Sequence, residues 1–184
     1  MNIGTYVEKA RSTAIYDGPV NYPAHGLAGE VGELVDKMTS MTFKNEVKQE
    51  AGDVLWYIVN TAIDASLSFH DICSALTGGL RVDNFTELVH QIKTREDTRS
   101  TLVKMPIYVG RVNEVAKKMI RDNGGVFQKD KKTLVFEALV ELMACLVEVS
   151  RTFHLNLDDI AKANINKLLS RKARGVIQGS GDNR

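Results

Sequence analysis

The 184-residue sequence contains few prolines and few cysteines, three and two respectively. Two cysteines without a CxxC spacing exclude a disulfide-rich scaffold and predict buried, reduced thiols in a cytoplasmic protein. The formal net charge is only +1, which gives no general attraction to nucleic acid or to an anionic membrane. Because the sequence also lacks a bilayer-length apolar run and the apolar core of a signal peptide, we expect no membrane segment.

Helical patterning is what the sequence has in abundance. Hydrophobic residues make up 43% of it, and they recur at helical spacing without convincing alternating strands. The pattern predicts an all-α protein with helices over about 3–15, 23–41, 44–66, from Phe69, 85–97, 107–122, 131–153 and 157–172. We expect the prolines between these helices or at their edges, and loops at the Gly78–Gly79 pair and the closing GSGDNR (179–184).

Several segments of the first half recur in the same order in the second half. The matching pairs are GEVGELVDKM (29–38) with GRVNEVAKKM (110–119), LSFHDI (67–72) with LNLDDI (155–160), and NIGTYVEK (2–9) with NFTELVHQ (84–91). Amphipathic helices resemble one another by chance, but the nearly constant offsets of 81, 88 and 82 residues favour an internal duplication. We therefore predict two repeats, 1–80 and 81–184, packed as a pseudo-dimer in one compact unit.

Two pairs of acidic residues lie beside apolar stripes on consecutive predicted helices. Glu30 and Glu33 belong to the first helix, and Glu50 and Asp53 belong to the second. A spacing of three places both members of a pair on one side of a helix, so antiparallel neighbours would bring four carboxylates together. Clustered carboxylates without histidine or cysteine favour Mg²⁺ or Mn²⁺. The alternative is surface salt bridging, for which Lys37 is suitably spaced.

These residues also resemble a known family. HGLAGEVGEL (25–34) followed by QEAGDVLWYI (49–58) is similar to the ExxE and ExxD signature of the MazG-type all-α nucleoside triphosphate pyrophosphohydrolases, and the C-terminal segment 164–184 resembles a GSGDNR-tailed subgroup of phages and bacteria. The resemblance implies a helical bundle that forms dimers or tetramers in a bacterial or host cytoplasm. It implies that Glu30, Glu33, Glu50 and Asp53 bind Mg²⁺ and catalyse cleavage of a (d)NTP between the α- and β-phosphates.

The second half departs from the family pattern, because Arg111 stands where the first half has Glu30. We therefore expect one composite site, in which the first half holds the metal and the second half presents cations and an amide to the phosphates. The residues assigned to this role are Asn164, Lys167, Arg171 and Arg174. A cation gains most against a polyphosphate, although the same residues would also complement the C-terminal end of the last helix.

Further substrate-binding candidates surround the acids. Trp56 and Tyr57 are expected to stack on the base, with Tyr22 and His25 as further candidates just before the first acid pair. Asn60 is expected to contact the sugar or the base, and Lys37 is a nearby substrate-binding cation. Packing of Trp56 within the bundle and a structural hydrogen bond of His25 are the alternatives. The expected partners are a nucleoside triphosphate or a related nucleotide, including an alarmone, and further copies of the chain in a dimer of pseudo-dimers. The competing function is a decayed helical module that only binds nucleotide or a protein partner.

Overall fold

The computed structural model of the protein describes residues 1–16, 20–40, 43–93 and 97–178. In these residues the chain forms eight α-helices and no β-strand, which confirms the predicted all-α class. The helices are α1 (Ile3–Ser12), α2 (Asn21–Thr39), α3 (Lys44–Asp64), α4 (Phe69–Leu76), α5 (Phe85–Gln91), α6 (Thr98–Asn123), α7 (Lys132–Thr152) and α8 (Leu157–Ala173), with a 3₁₀ turn at Lys129–Lys131. The predicted C-terminal loop GSGDNR lies outside the described residues.

Two predictions about helix bounds are wrong. The helix predicted over 85–97 ends at Gln91, because Arg151 of α7 donates hydrogen bonds to the carbonyls of Val89 and Ile92 at 2.9 and 2.7 Å. A guanidinium from elsewhere in the fold thus satisfies carbonyls that a longer helix would have bonded internally.

Pro106 is not at a helix edge but inside α6. The helix begins a full two turns earlier than predicted, since the Asp97 side chain accepts a hydrogen bond from the Ser100 backbone N–H at 2.9 Å and caps it. Proline removes one helical hydrogen bond, yet Met105 and Val109 on either side of it are buried. Burial of this face of α6 therefore outweighs the free energy lost with the missing hydrogen bond at Pro106.

The core is built on two helical hairpins. Helices α2 and α3 pack against each other, as do α6 and α7, and the hairpins meet through contacts of α2 with α6 and of α3 with α7. The predicted inner stripe of α2 is confirmed, because Leu27, Val31 and Leu34 are all buried. Helix α8 lies along α3, which brings the C-terminal part of the chain to the helix that carries Glu50 and Asp53.

Corresponding positions of the two halves share local geometry. Asn2 caps α1 and Asn84 caps α5, and these two residues pair in an isolated antiparallel bridge. The turns after α3 and α7 both contain a non-glycine residue with positive φ, Ser66 at 54° and His154 at 50°. These similarities support an internal duplication, which stays a prediction, as do the repeat bounds 1–80 and 81–184.

Two expectations from composition can be compared with the fold. Cys73 and Cys145 are buried thiols, as predicted, and burial raises the pKa of Cys73 to about 12. Within the described part of the chain, none of the helices has the length and apolar character that crossing a membrane requires.

Candidate active site

Three of the four predicted acids meet where α2 packs against α3. Glu30 of α2 and Glu50 and Asp53 of α3 each place a carboxylate oxygen within 4.8 Å of the others. Glu50 is only 5% exposed, and Glu30 and Asp53 are partly buried. Glu33 is exposed one turn further along α2 and is not part of this group. We refer to Glu30, Glu50 and Asp53 as the acid cluster; in the described residues no second group of this kind occurs.

The electrostatics of the acid cluster favour a bound cation. Burial raises the pKa of Glu30 from 4.5 to about 8, with further contributions from the negative charges of Asp53, Glu33 and Glu50, and with Lys167 acting in the opposite direction. Mutual repulsion and lost hydration therefore oppose ionisation of all the acids together. A divalent ion bound by these oxygens would favour the ionised carboxylates instead. Carboxylate oxygens are ligands that suit Mg²⁺ or Mn²⁺.

Asp53 is also the point at which α8 joins the acid cluster. Asn164 donates through Nδ2 to Asp53 Oδ1 at 2.8 Å, and Lys167 donates through Nζ to Asp53 Oδ2 at 2.5 Å. Behind them, the Tyr6 hydroxyl donates to Asn164 Oδ1 at 3.1 Å. Burial and the charge of Asp53 raise the pKa of Tyr6, so its hydroxyl stays protonated and fixes the orientation of the Asn164 amide.

Two glycines permit the close approaches on which this geometry depends. A Cβ on Gly52 would lie 2.9 Å from Cβ of Asn164, so α8 can approach α3 only because residue 52 has no side chain. A Cβ on Gly26 would lie 2.1 Å from the ring of Tyr57. Tyr57 therefore packs directly over the backbone of α2, one turn before Glu30.

The aromatic candidates occupy different environments. Trp56 is buried, and its indole N–H donates to the Ala10 carbonyl at 3.1 Å and to Thr13 Oγ1 at 2.9 Å, which ties α3 to the end of α1. Tyr57 is half-buried, and its ring centroid lies 4.8 Å from that of Trp56 and 6.3 Å from that of Tyr22. Base stacking stays a prediction for both, and Tyr57 is the better exposed of the two.

The remaining polar candidates lie around this centre without joining the acid cluster. His25 shares a hydrogen bond of 3.0 Å with Asn113 Oδ1 of α6, and Lys37 forms a salt bridge of 2.9 Å with Glu46. Asn60 is fully buried, and within the described residues its Oδ1 accepts no hydrogen bond. Their substrate roles stay predictions.

Arg171 and Arg174 lie near the end of α8 in contrasting surroundings. Arg171 is 5% exposed, whereas Arg174, the C-cap residue of the helix, is exposed. A phosphate contact stays a prediction for each of them.

Sequence reasoning missed Tyr6 and Gly52 as parts of the site. Tyr6 contributes to the site through its hydrogen bond to Asn164, which lies more than 150 residues away in the chain. A pattern of neighbouring residues cannot predict such a contact. Gly52 stands inside the ExxD motif, between Glu50 and Asp53. A glycine in the middle of an otherwise regular helix was the available signal, because glycine is unfavourable there unless a close approach requires it.

The fold and the acid cluster define an all-α protein with a candidate divalent-cation site. The family model described as the MazG nucleotide pyrophosphohydrolase domain matches residues 22–78, which include all four acids. The chain is 39% identical over 79 residues to the Gene 37 protein of Mycobacterium phage L5, an alignment that covers 41% of this chain and 69% of the phage protein. The chain therefore belongs to the MazG nucleotide pyrophosphohydrolase family, as the sequence resemblance predicted. No solved structure matches it.

The family match ends well before α8 begins. Asn164 and Lys167 thus reach Asp53 from a part of the chain that the family model does not match. The matched segment supplies the acid cluster, and the rest of the chain supplies the amide and the ammonium group beside it.

Proposed function

We propose that the protein is a Mg²⁺-dependent nucleotide pyrophosphohydrolase that cleaves a (d)NTP between the α- and β-phosphates to give a (d)NMP and pyrophosphate. The observation that carries this proposal is the convergence of Glu30, Glu50 and Asp53 within 4.8 Å, next to the ammonium group of Lys167. Membership of the MazG family supports the same reaction class.

Each group has a distinct task in this proposal. Glu30, Glu50 and Asp53 would hold Mg²⁺ or Mn²⁺, with Glu33 as a further acid at the exposed edge. When bound, the ion would neutralise phosphate charge and make a water molecule more acidic. Lys167 would offset charge on the phosphates, where a charge-assisted hydrogen bond is strongest. Asn164, held by Tyr6, would keep the Asp53 carboxylate oriented.

The reaction requires one proton acceptor near the phosphates. A water molecule attacks one of the two phosphorus atoms, the bond from that phosphorus to the bridging oxygen breaks, and the proton from water passes to a carboxylate of the acid cluster. The bridging oxygen leaves with the electron pair of the broken bond and becomes a terminal oxygen of one product, and the oxygen from water becomes a terminal oxygen of the other.

The test is pyrophosphate release from a panel of the four dNTPs, dUTP, the four NTPs and ppGpp, with 5 mM Mg²⁺ and with EDTA. A subset of the panel should yield the monophosphate and pyrophosphate, and EDTA should abolish the reaction. Absence of turnover with both Mg²⁺ and Mn²⁺ would contradict the proposal and favour a module that only binds its nucleotide or protein partner.

A further inference from the structure

A second polar feature adjoins the acid cluster, on the side of Asp53 that faces α8. It is a cavity of about 370 Å³ between the first half of α3 and the middle of α8, a volume within the usual range for small-molecule sites. Its lining residues are Asn45, Lys48, Gln49, Ala163, Asn164 and Lys167. We refer to this space as the α3–α8 cavity.

The lining of the α3–α8 cavity is opposite in character to the acid cluster. It contains two lysines and three carboxamides, and among its lining residues in the described chain there is no carboxylate. Ammonium and amide N–H groups are hydrogen-bond donors, and lysine acts on phosphates as a point charge. The cavity therefore offers positive charge and hydrogen-bond donors to a small polyanion.

Asp53 joins the two features. Asn164 and Lys167 line the cavity, and both also donate hydrogen bonds to the Asp53 carboxylate, at 2.8 and 2.5 Å. A nucleotide whose α-phosphate lies at the acid cluster thus has cationic space immediately beside it for the rest of its phosphate chain. The terminal phosphates carry much of the negative charge, and carboxylates without a metal would repel them.

Lys48 is the second lysine in the lining of the cavity, besides Lys167. It belongs to α3, five residues before Asp53, and it is partly buried. It lines the cavity from the α3 side, while Lys167 lines it from α8. Lysines contributed by two facing helices are suited to binding a divalent or trivalent anion.

We propose that the α3–α8 cavity binds the β- and γ-phosphates of the substrate, released as pyrophosphate, and that Lys48 is a binding residue for them. Asn45 and Gln49, on the same helix, supply further hydrogen-bond donors. The assignment of this anion to a substrate rests on the proposed function, whereas recognition of pyrophosphate by the cavity is a property that can be measured without turnover.

The binding experiment is titration of inorganic pyrophosphate into the full chain by calorimetry, in EDTA and without divalent ions. Wild-type protein should bind pyrophosphate. The Lys48→Gln variant should bind about tenfold more weakly or worse, as expected for loss of a charge-assisted hydrogen bond, and Lys48→Arg should retain most of the affinity. Lys118→Gln is the matched control, because Lys118 is an exposed α6 lysine that pairs with Glu114 at 3.2 Å.

Two results would overturn the proposal: no pyrophosphate binding by the wild-type protein, or equal binding by wild type and Lys48→Gln. A thermal unfolding curve for each variant separates loss of binding from loss of fold. Titration with a nucleoside monophosphate, which lacks the pyrophosphate group, should not distinguish Lys48→Gln from wild type.

Turnover provides an independent readout once a substrate is known. Lys48→Gln should raise KM for the triphosphate about tenfold and weaken product inhibition by pyrophosphate, with kcat within about threefold of wild type. A role limited to folding would lower the unfolding temperature without this split between KM and kcat. If the chain turns over nucleotides but Lys48→Gln leaves KM and pyrophosphate binding unchanged, the cavity assignment fails and the proposed function stands. If pyrophosphate binds through Lys48 but no nucleotide is cleaved, the cavity assignment stands and the proposed function fails.

Discussion

Replacement of Glu30 by glutamine would exchange an ionisable carboxyl group of the acid cluster for a neutral amide of the same size. Glu30 lies with Glu50 and Asp53 in a group whose oxygens are within 4.8 Å of one another, and its ionised form is opposed by burial and by these neighbours. Without a metal, the carboxyl group therefore costs stability that an amide does not. We expect Glu30→Gln to stabilise the metal-free protein and to abolish most of its response to Mg²⁺.

The size of the effect follows from the pKa of Glu30, which is 4.5 ordinarily and about 8 in the folded chain. Because the folded pKa is the higher one, the penalty is absent below pH 4.5 and grows as the pH rises toward 8. At pH 7 its upper limit is about 3 kcal/mol, and partial exposure of the side chain reduces this to about 1–2 kcal/mol through solvent screening. For a chain of this size, that corresponds to an increase of about 4 °C in Tm.

The assay is thermal unfolding of wild type and Glu30→Gln at pH 5 and pH 7, in EDTA and in 5 mM Mg²⁺. In EDTA the variant should be more stable at pH 7, and the difference should fall to about a quarter of that value at pH 5. Mg²⁺ should raise the Tm of the wild type, since a ligand that binds only the folded state stabilises it, and should barely affect the variant. Glu8→Gln, an exposed change on α1, should resemble wild type throughout. A variant less stable than wild type at pH 7 in EDTA, or an undiminished Mg²⁺ response, would refute the reasoning.

Four further substitutions, one of them a control, test the contacts around the acid cluster and one helix cap. Gly52→Ala places a Cβ 2.9 Å from Asn164 and should lower the free energy of unfolding in urea by about 1–3 kcal/mol. Gly29→Ala, where a Cβ would meet nothing within 4 Å, should be neutral or stabilising by about 0.5–1 kcal/mol, and equal effects of the two changes would contradict the close approach. Tyr6→Phe removes the hydrogen bond to Asn164 and should cost about 1 kcal/mol in the same urea experiment; an unchanged midpoint would mean that the hydroxyl does not hold the amide. Asp97→Ala removes the cap of α6 and should cost about 0.5–2 kcal/mol, and a neutral result would show that the helix does not depend on this start.

Local patterns in the sequence were sufficient for most of the fold. The apolar periodicity predicted α3 over 44–66 and α8 over 157–172, and the observed helices are Lys44–Asp64 and Leu157–Ala173. Asn84, of a residue type favoured at this position, caps α5 with its side chain accepting from the Glu87 backbone N–H at 2.8 Å. In each case the sequence pattern lies in the same segment as the helix or cap that it predicts.

The failures involve contacts between distant parts of the chain. The end of α5 depends on Arg151, about 60 residues away, and the continuity of α6 through Pro106 depends on packing of its buried face. The helix propensity of neighbouring residues predicts neither the end of α5 nor the continuity of α6. The acidic pairs could be predicted because helical spacing fixes them, whereas the cavity beside them depends on how α8 packs on α3, where Gly52 permits a close approach of Asn164.

The central claim is that the acid cluster supports metal-dependent hydrolysis of a nucleotide, and Glu50→Gln tests it most directly. Glu50 is the most buried acid of the cluster, and the substitution keeps its size. With a substrate identified from the panel, we predict that the folded variant loses Mg²⁺-dependent pyrophosphate release by at least about a hundredfold while it still binds the nucleotide. Turnover of Glu50→Gln at the wild-type rate in Mg²⁺ would contradict the account.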